Sequence, residues 1–124
     1  MPQDFQKDKP IYLQLMTQLS SEIIRGERKA GDKLPSVREY AIEAGVNPNT
    51  MSKTYKELES MGVVEFRRGQ GTFVTEDYNR LEKLRTQMKE EYIESFIKDM
   101  KELGFSAKET LDGLQSYYEK EDDG

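Results

Sequence analysis

The sequence predicts a mostly α-helical chain with one small β-hairpin, split into an N-terminal head and a C-terminal pair of helices. Three observations carry that expectation. Apolar residues recur at steps of three and four along five separate stretches, the period of a helix buried on one side. Two capping boxes, Ser36-Val37-Arg38-Glu39 and Ser106-Ala107-Lys108-Glu109, mark helix starts. Two short apolar runs, Val63–Phe66 and Thr72–Val74, flank Arg67-Arg68-Gly69-Gln70-Gly71, the punctuation of a hairpin.

Composition narrows the chemistry. With 124 residues, 35% apolar and 35% charged, the chain holds a modest core for a small domain plus an appendage, and burial of surface between two copies is expected. There is no Cys and no His. That excludes a disulfide framework, a thiolate zinc site and thiol or imidazole catalysis, and it points to a reducing cytoplasm. No metal or cofactor is expected. The longest apolar runs are a few residues, and MPQDFQKDKP lacks the apolar segment of a signal peptide, so no membrane partner is expected. The net charge of −5 is unevenly spread: residues 1–75 carry 11 Lys/Arg against 10 Asp/Glu, and residues 76–124 carry 8 against 14. A nearly neutral head binds a polyanion only if its cations share one face.

In chain order, residues 1–9 read as a flexible arm. Pro10 suits a helix start, because the first helical N–H has no partner to lose. Tyr12, Leu15, Met16, Leu19 and Ile23 give one apolar face to a helix at about 11–25. Gly26 and Gly31 punctuate its end, and the polar connector GERKAGDKLP closes at Pro35. Ser36 and Glu39 cap a short helix at about 36–43, with Val37, Tyr40 and Ala41 inward. Gly45 supplies a left-handed residue after its end, and Val46 plugs the turn. Asn47 caps and Pro48 opens a third helix to about Ser60, with Met51, Tyr55 and Leu58 as its buried stripe.

Two short helices around a tight Gly turn, followed by a hairpin, make a winged helix-turn-helix. In that arrangement the N-terminal residues of the second helix of the pair face base edges in the major groove. Here that end carries Asn49, Thr50, Ser52 and Lys53, with Lys56 beyond; Asn47 is first a cap and then a second candidate contact. The helix's own N–H groups also favour a phosphate. Arg67 and Arg68 stand at the base of the hairpin tip, where arginine suits a phosphate or minor-groove contact, or else guards an edge strand. Arg68 is the stronger candidate.

These residues resemble the DNA-binding domain of GntR-family bacterial transcription factors. The match runs over Gly31-x-x-Leu34-Pro35-Ser36-x-Arg38, Gly45-Val46-Asn47-Pro48-Asn49-Thr50, Tyr55-x-x-Leu58-Glu59-x-x-Gly62 and Gly69-x-Gly71-Thr72-Phe73-Val74, with the lead-in Pro10-Ile11-Tyr12-x-Gln14. It covers roughly residues 9–75. The resemblance implies that Arg38 lies on the DNA, that third-helix residues reach base edges, and that Gly69, Gln70 and Gly71 enter the minor groove. Ser36 serves as a cap and a possible second contact. Tyr12 stays open between a phosphate contact and core packing. One departure matters: many members carry arginines at the start of the third helix, where this chain has Pro48 and Ser52 with Asn47, Asn49 and Lys53 nearby. Asn reads adenine and Arg reads guanine, so the base preference is not carried over. The Asn-Pro-Asn-Thr variant with a short tail resembles the YtrA-type subfamily.

The tail repeats the helical pattern. Leu81, Leu84, Met88, Tyr92, Phe96 and Met100 are spaced by three and four, widened by Ile93, Ile97 and Leu103, which predicts one helix at about 78–103 ended by Gly104. The second capping box opens another at about 107–119, with Leu111, Leu114, Tyr117 and Tyr118, before a frayed acidic end. Two such helices cannot enclose a pocket for a metabolite or bury both stripes on themselves. Pairing with a second copy buries them, so Leu81, Leu84, Met88, Tyr92, Phe96, Met100, Leu111, Leu114 and Tyr118 are the expected dimer interface. The expected organisation is a DNA-binding domain over residues 1–76 and a helical dimerisation domain over residues 77–124.

The expected function is therefore a sequence-specific DNA-binding transcriptional regulator. It acts as a homodimer on the two half-sites of a pseudo-palindromic operator in double-stranded DNA, and represses by blocking polymerase. The resemblance implies an ABC-transporter operon, with the regulator's own gene, as the target. Relatives in the larger family carry bigger effector domains after the head, so a small-molecule effector stays open. The alternative is a winged-helix protein-interaction module whose acidic tail docks a partner. An enzyme is not expected, for want of Cys, His, a phosphate-binding Gly loop or a metal-ligand cluster.

Overall fold

The computed structural model describes residues 5–123. The arm read over residues 1–9 is therefore described only from Phe5; residues 1–4 lie outside the described residues. Three helices, α1 (Ile11–Ile24), α2 (Val37–Ala44) and α3 (Pro48–Ser60), are followed by a hairpin of β1 (Val64–Arg67) and β2 (Gly71–Val74). A long helix, α4 (Tyr78–Glu102), and a last helix, α5 (Ala107–Asp123), complete the chain. The mostly α-helical fold with a winged helix-turn-helix head is as expected.

In the head, the predicted stripes meet in one core, although Tyr12, Met16 and Val37 are only partly covered. Leu15 and Leu19 of α1, Tyr40 and Ala41 of α2, and Met51, Tyr55 and Leu58 of α3 are all buried, and Val63, Val64 and Val74 close the core from the hairpin. Burial pushes the Tyr55 hydroxyl well above the usual tyrosine range, so it stays protonated and donates to the Pro35 carbonyl at 2.6 Å. Tyr40 meets the Tyr55 ring edge-on, with centroids 6.4 Å apart. Arg28 covers the Tyr40 ring and pairs with Glu22 at 2.7 Å, which ties the connector back onto α1.

The caps form as read. The Ser36 hydroxyl accepts the Glu39 N–H at 3.1 Å, and the Glu39 carboxylate accepts the Ser36 N–H at 3.4 Å. Gly45 follows α2 at φ 71°, a backbone region that a side chain resists. Asn47 Oδ1 accepts the Asn49 N–H at 2.7 Å.

Three local expectations are corrected. The connector is more than a loop. Leu34 N–H donates to the Thr72 carbonyl and Val74 N–H to the Asp32 carbonyl, each at 2.8 Å, so the segment around Lys33 pairs with the free edge of β2. The pairing is non-local, and no alternation of residues announces it. The described part of the arm is tied down, because the Gln14 side chain accepts the Gln6 N–H at 2.8 Å and donates to the Lys9 carbonyl at 2.9 Å. The acidic end is helical rather than frayed from residue 119, since α5 runs on to Asp123. A Gln115–Glu119 bond at 3.2 Å supports that extension, and Lys120 suits the negative end of the helix dipole.

The first two turns of α4 belong to the head. Asp77 Oδ1 accepts the Arg80 N–H at 3.2 Å, the Arg80 guanidinium donates to the Met61 carbonyl, and Arg85 donates to the Ile24 carbonyl at 3.3 Å. Packing divides the chain between Arg85 and Thr86. The sequence pattern divides it at residues 76 and 77, where the hairpin has ended and α4 has not begun.

The second unit is the remainder of α4 with α5. The second capping box is present: Ser106 Oγ accepts the Glu109 N–H, and Glu109 accepts the Ser106 N–H, both at 3.1 Å. Among the described side chains beyond Arg85, none is fully buried.

Candidate nucleic-acid interface

The head positions its candidate contacts by burying their neighbours. On α3, Met51, Thr54, Tyr55 and Leu58 are buried, so the residues between them face outward. Asn47, Asn49 and Lys53 are exposed, and Thr50 and Ser52 are partly so. The Asn47 side-chain oxygen is committed to its cap, which leaves its amide N–H groups as donors. Ser36 and Arg38 are exposed at the start of α2, with the Ser36 hydroxyl committed to its cap. The Tyr55–Pro35 bond fixes the backbone immediately before them.

On the wing, the two arginines part company. Arg67 lies against the Phe73 ring at 4.3 Å and within 3.4 Å of Glu65, so its charge is partly satisfied inside the head. Arg68, Gly69 and Gln70 are exposed at the tip, and Arg68 makes no ion pair among the described residues. Gly71 sits at φ 118°, and a Cβ there meets Lys33 Cε at 3.1 Å. The backbone approach is thus close as well as conformationally demanding.

One concave surface lies between α2, α3 and the wing, and of the candidate contacts Ser52 lines it. Val37 of α2, Ser52, Lys56 and Glu59 of α3, and Phe66 and Thr72 of the wing line a groove of about 320 Å³. The Glu59 carboxylate accepts the Phe66 N–H at 3.2 Å, which fastens the wing to the last turn of α3.

Two residues of the head, one in this groove and one beside the wing tip, escape sequence reasoning. Lys33 adds a cation beside the wing through the unannounced pairing of the connector with β2. Glu59 reads as an ordinary helix carboxylate, although its place in the Tyr55-x-x-Leu58-Glu59-x-x-Gly62 block was the available signal.

The candidate interface residues of the tail fall into two groups. Leu84 is 5% exposed and already buried in its own head, and Leu81 is partly covered there. Leu84 is therefore corrected from a free-face residue to an intramolecular one, because the first turns of α4 pack with the head. Met88 and Met100 are half-buried, while Tyr92, Phe96, Leu111, Leu114 and Tyr118 are exposed. Phe96, Met100, Leu111 and Leu114 line a groove of about 500 Å³ between α4 and α5. That volume lies in the range of ligand pockets, so the expectation that these two helices leave no space of that size is corrected.

The profile "Bacterial regulatory proteins, gntR family" matches residues 11–74. The chain is 48% identical over 119 residues to the uncharacterized HTH-type transcriptional regulator YhcF of Bacillus subtilis (strain 168), covering 96% of this chain and 98% of that protein. It is 49% identical over 74 residues to the HTH-type transcriptional repressor YtrA of the same organism, covering 60% and 57% of the two chains. Among solved structures, a GntR family transcriptional regulator from Listeria monocytogenes superposes with a TM-score of 0.85 at 38% identity, over 90% of this chain and 98% of that one.

Proposed function

This chain belongs to the gntR family of bacterial regulatory proteins, consistent with the YtrA-type subfamily, and from that premise we propose that it is a cytoplasmic repressor acting as a homodimer on a pseudo-palindromic operator. Its general class, a DNA-binding transcriptional regulator rather than an enzyme, is that of the family. The single observation that carries the finer reading is the groove that joins α2, α3 and the wing, with Arg38, Lys53 and Arg68 exposed on those three elements. α3 presents its N-terminal half to base edges, where Asn49 offers both an amide donor and an acceptor and the Thr50 and Ser52 hydroxyls donate or accept. Lys53 and Arg38 hold phosphates, and the Gly69–Gly71 tip with Arg68 enters the minor groove. A head that is nearly neutral over residues 1–75 binds a polyanion only through cations that share one face.

The exposed apolar stripes of α4 and α5 support the homodimer, since a second copy of the same two helices buries both. Two heads then hold two half-sites, and repression is steric. The similarity to the repressor YtrA supports repression over activation. The proposed target, an ABC-transporter operon and the regulator's own gene, rests on the resemblance to that subfamily.

The test is fluorescence anisotropy with the duplex upstream of the protein's own gene against a scrambled duplex, across a salt series. Preferred binding to the native duplex is expected, with log Kobs falling by about 0.9 per decade of salt for each phosphate neutralised. No binding to either duplex at low salt sinks the DNA reading and favours the interaction module. Light scattering on the same sample reads the dimer directly.

A further inference from the structure

The Lys53 ammonium lies 4.0 Å from the centroid of the Tyr12 ring, which joins the candidate DNA-reading helix to the first turn of α1. The ring is the fixed partner. Tyr12 is half-buried, and its turn is held by the bonds from Gln14 to Gln6 and Lys9 and by the buried Leu15. Lys53 is the mobile one, exposed on a four-carbon stem with a large rotamer entropy. It makes no salt bridge among the described residues, so its charge is available to an anion. A cation within about 6 Å of a ring face is attracted to it without being neutralised. A side chain already held near its bound position loses less freedom when a ligand arrives.

We propose that Tyr12 is a positioning residue that acts through Lys53. Its ring holds the ammonium beside the N-terminal half of α3, so that Lys53 meets one DNA phosphate and sets the register of α3 along the groove. The proposal rests on the DNA-binding reading above. It assigns Tyr12 a role through its ring, with the hydroxyl dispensable, and so differs from a direct phosphate contact by the phenol. It also differs from a packing role, because packing does not depend on which residue stands at position 53.

A double-mutant cycle tests it, using the full chain and a duplex enriched by the wild-type protein from a randomised pool. Tyr12→Leu is expected to weaken binding by about threefold to tenfold. Lys53→Met is expected to weaken it and to lower the salt slope by about 1. In the Lys53→Met background, Tyr12→Leu is expected to cost nothing more; with Lys53 present, Tyr12→Phe, which keeps the ring, is expected to retain the affinity that Tyr12→Leu loses. In the free protein, the Lys53 ε-methylene proton resonances are expected upfield by ring current, and to return to ordinary values in Tyr12→Leu alone. A Tyr12→Phe variant as weak as Tyr12→Leu overturns the proposal in favour of the hydroxyl. Equal losses from Tyr12→Leu with and without Lys53 overturn it in favour of packing. A wild-type chain that enriches no sequence sinks the DNA reading and this proposal together, whereas enrichment followed by independent losses sinks the proposal alone.

Discussion

The head and the tail carry the same kind of sequence and reach different ends. Both have amphipathic helices at steps of three and four, and both open a helix with a Ser-x-x-Glu box. In the head, Leu15, Leu19, Met51 and Leu58 have no exposed surface. In the tail, Tyr92, Leu111 and Tyr118 are each at least 60% exposed. The difference lies in topology. Three helices and a hairpin surround a common centre, whereas two helices share one seam and leave their remaining apolar surface to solvent. Amphipathicity states that a helix has a face to bury; the number of neighbours decides whether its own chain can bury it.

The sharpest way to break this contrast is to remove a leucine from each unit. Leu58→Ala is expected to cost about 2–5 kcal/mol of head stability in urea unfolding, because nothing collapses into the space. Leu111→Ala at concentrations where the chain is monomeric is expected to stay within about 0.5 kcal/mol. Equal costs would mean that the tail is packed already. Next in size, Phe96→Asp places a charge on the α4–α5 groove. It is expected to give monomers by light scattering and to lower operator affinity on the order of 100-fold, as two linked heads become one. A variant that stays dimeric moves the proposed interface elsewhere.

Arg38→Ala is expected to lower operator affinity about tenfold, the loss of one charge-assisted contact, with thermal stability and dimerisation unchanged. That outcome separates DNA contact from assembly; an unchanged affinity removes Arg38 from the interface. The smallest effect compares the two boxes. Ser36→Ala and Ser106→Ala each remove one cap and are expected to cost about 1 kcal/mol. The first should appear in unfolding of the head, the second in the monomer–dimer equilibrium. A Ser106→Ala chain that dimerises as well as the wild type shows that α5 is ordered without its cap.

Much of the molecule was legible in the sequence because its signals are local. The starts of α2, α3 and α5 followed from Ser36, Asn47 and Ser106, and the hairpin followed from the two glycines of its tip. The outward residues of α3 were legible by subtraction, once Met51, Tyr55 and Leu58 were assigned inward. The arginine pair was less so: Arg67 and Arg68 are neighbours of one type, and only the positions of Phe73 and Glu65 separate them. Leu84 and Met88 continue the same spacing of four, yet Leu84 is buried in the head and Met88 is not.

By itself the sequence determined the helices, their caps, the hairpin, the absence of thiol and imidazole chemistry, and a family resemblance over the head. The helices and caps depend on residues within about four positions of one another, the hairpin on a short tip that joins two adjacent strands, and the remainder on composition or on the linear order of motifs, none of which needs a distance between elements. The tertiary structure alone decided that the connector pairs with β2, that Lys33 stands beside Gly71, that Glu59 fastens the wing, that Lys53 rests on Tyr12, and that α4 gives its first turns to the head. Each of these joins residues separated by at least seven positions. Such contacts form only after the core has set the distance between elements, and no periodicity along the chain records that distance.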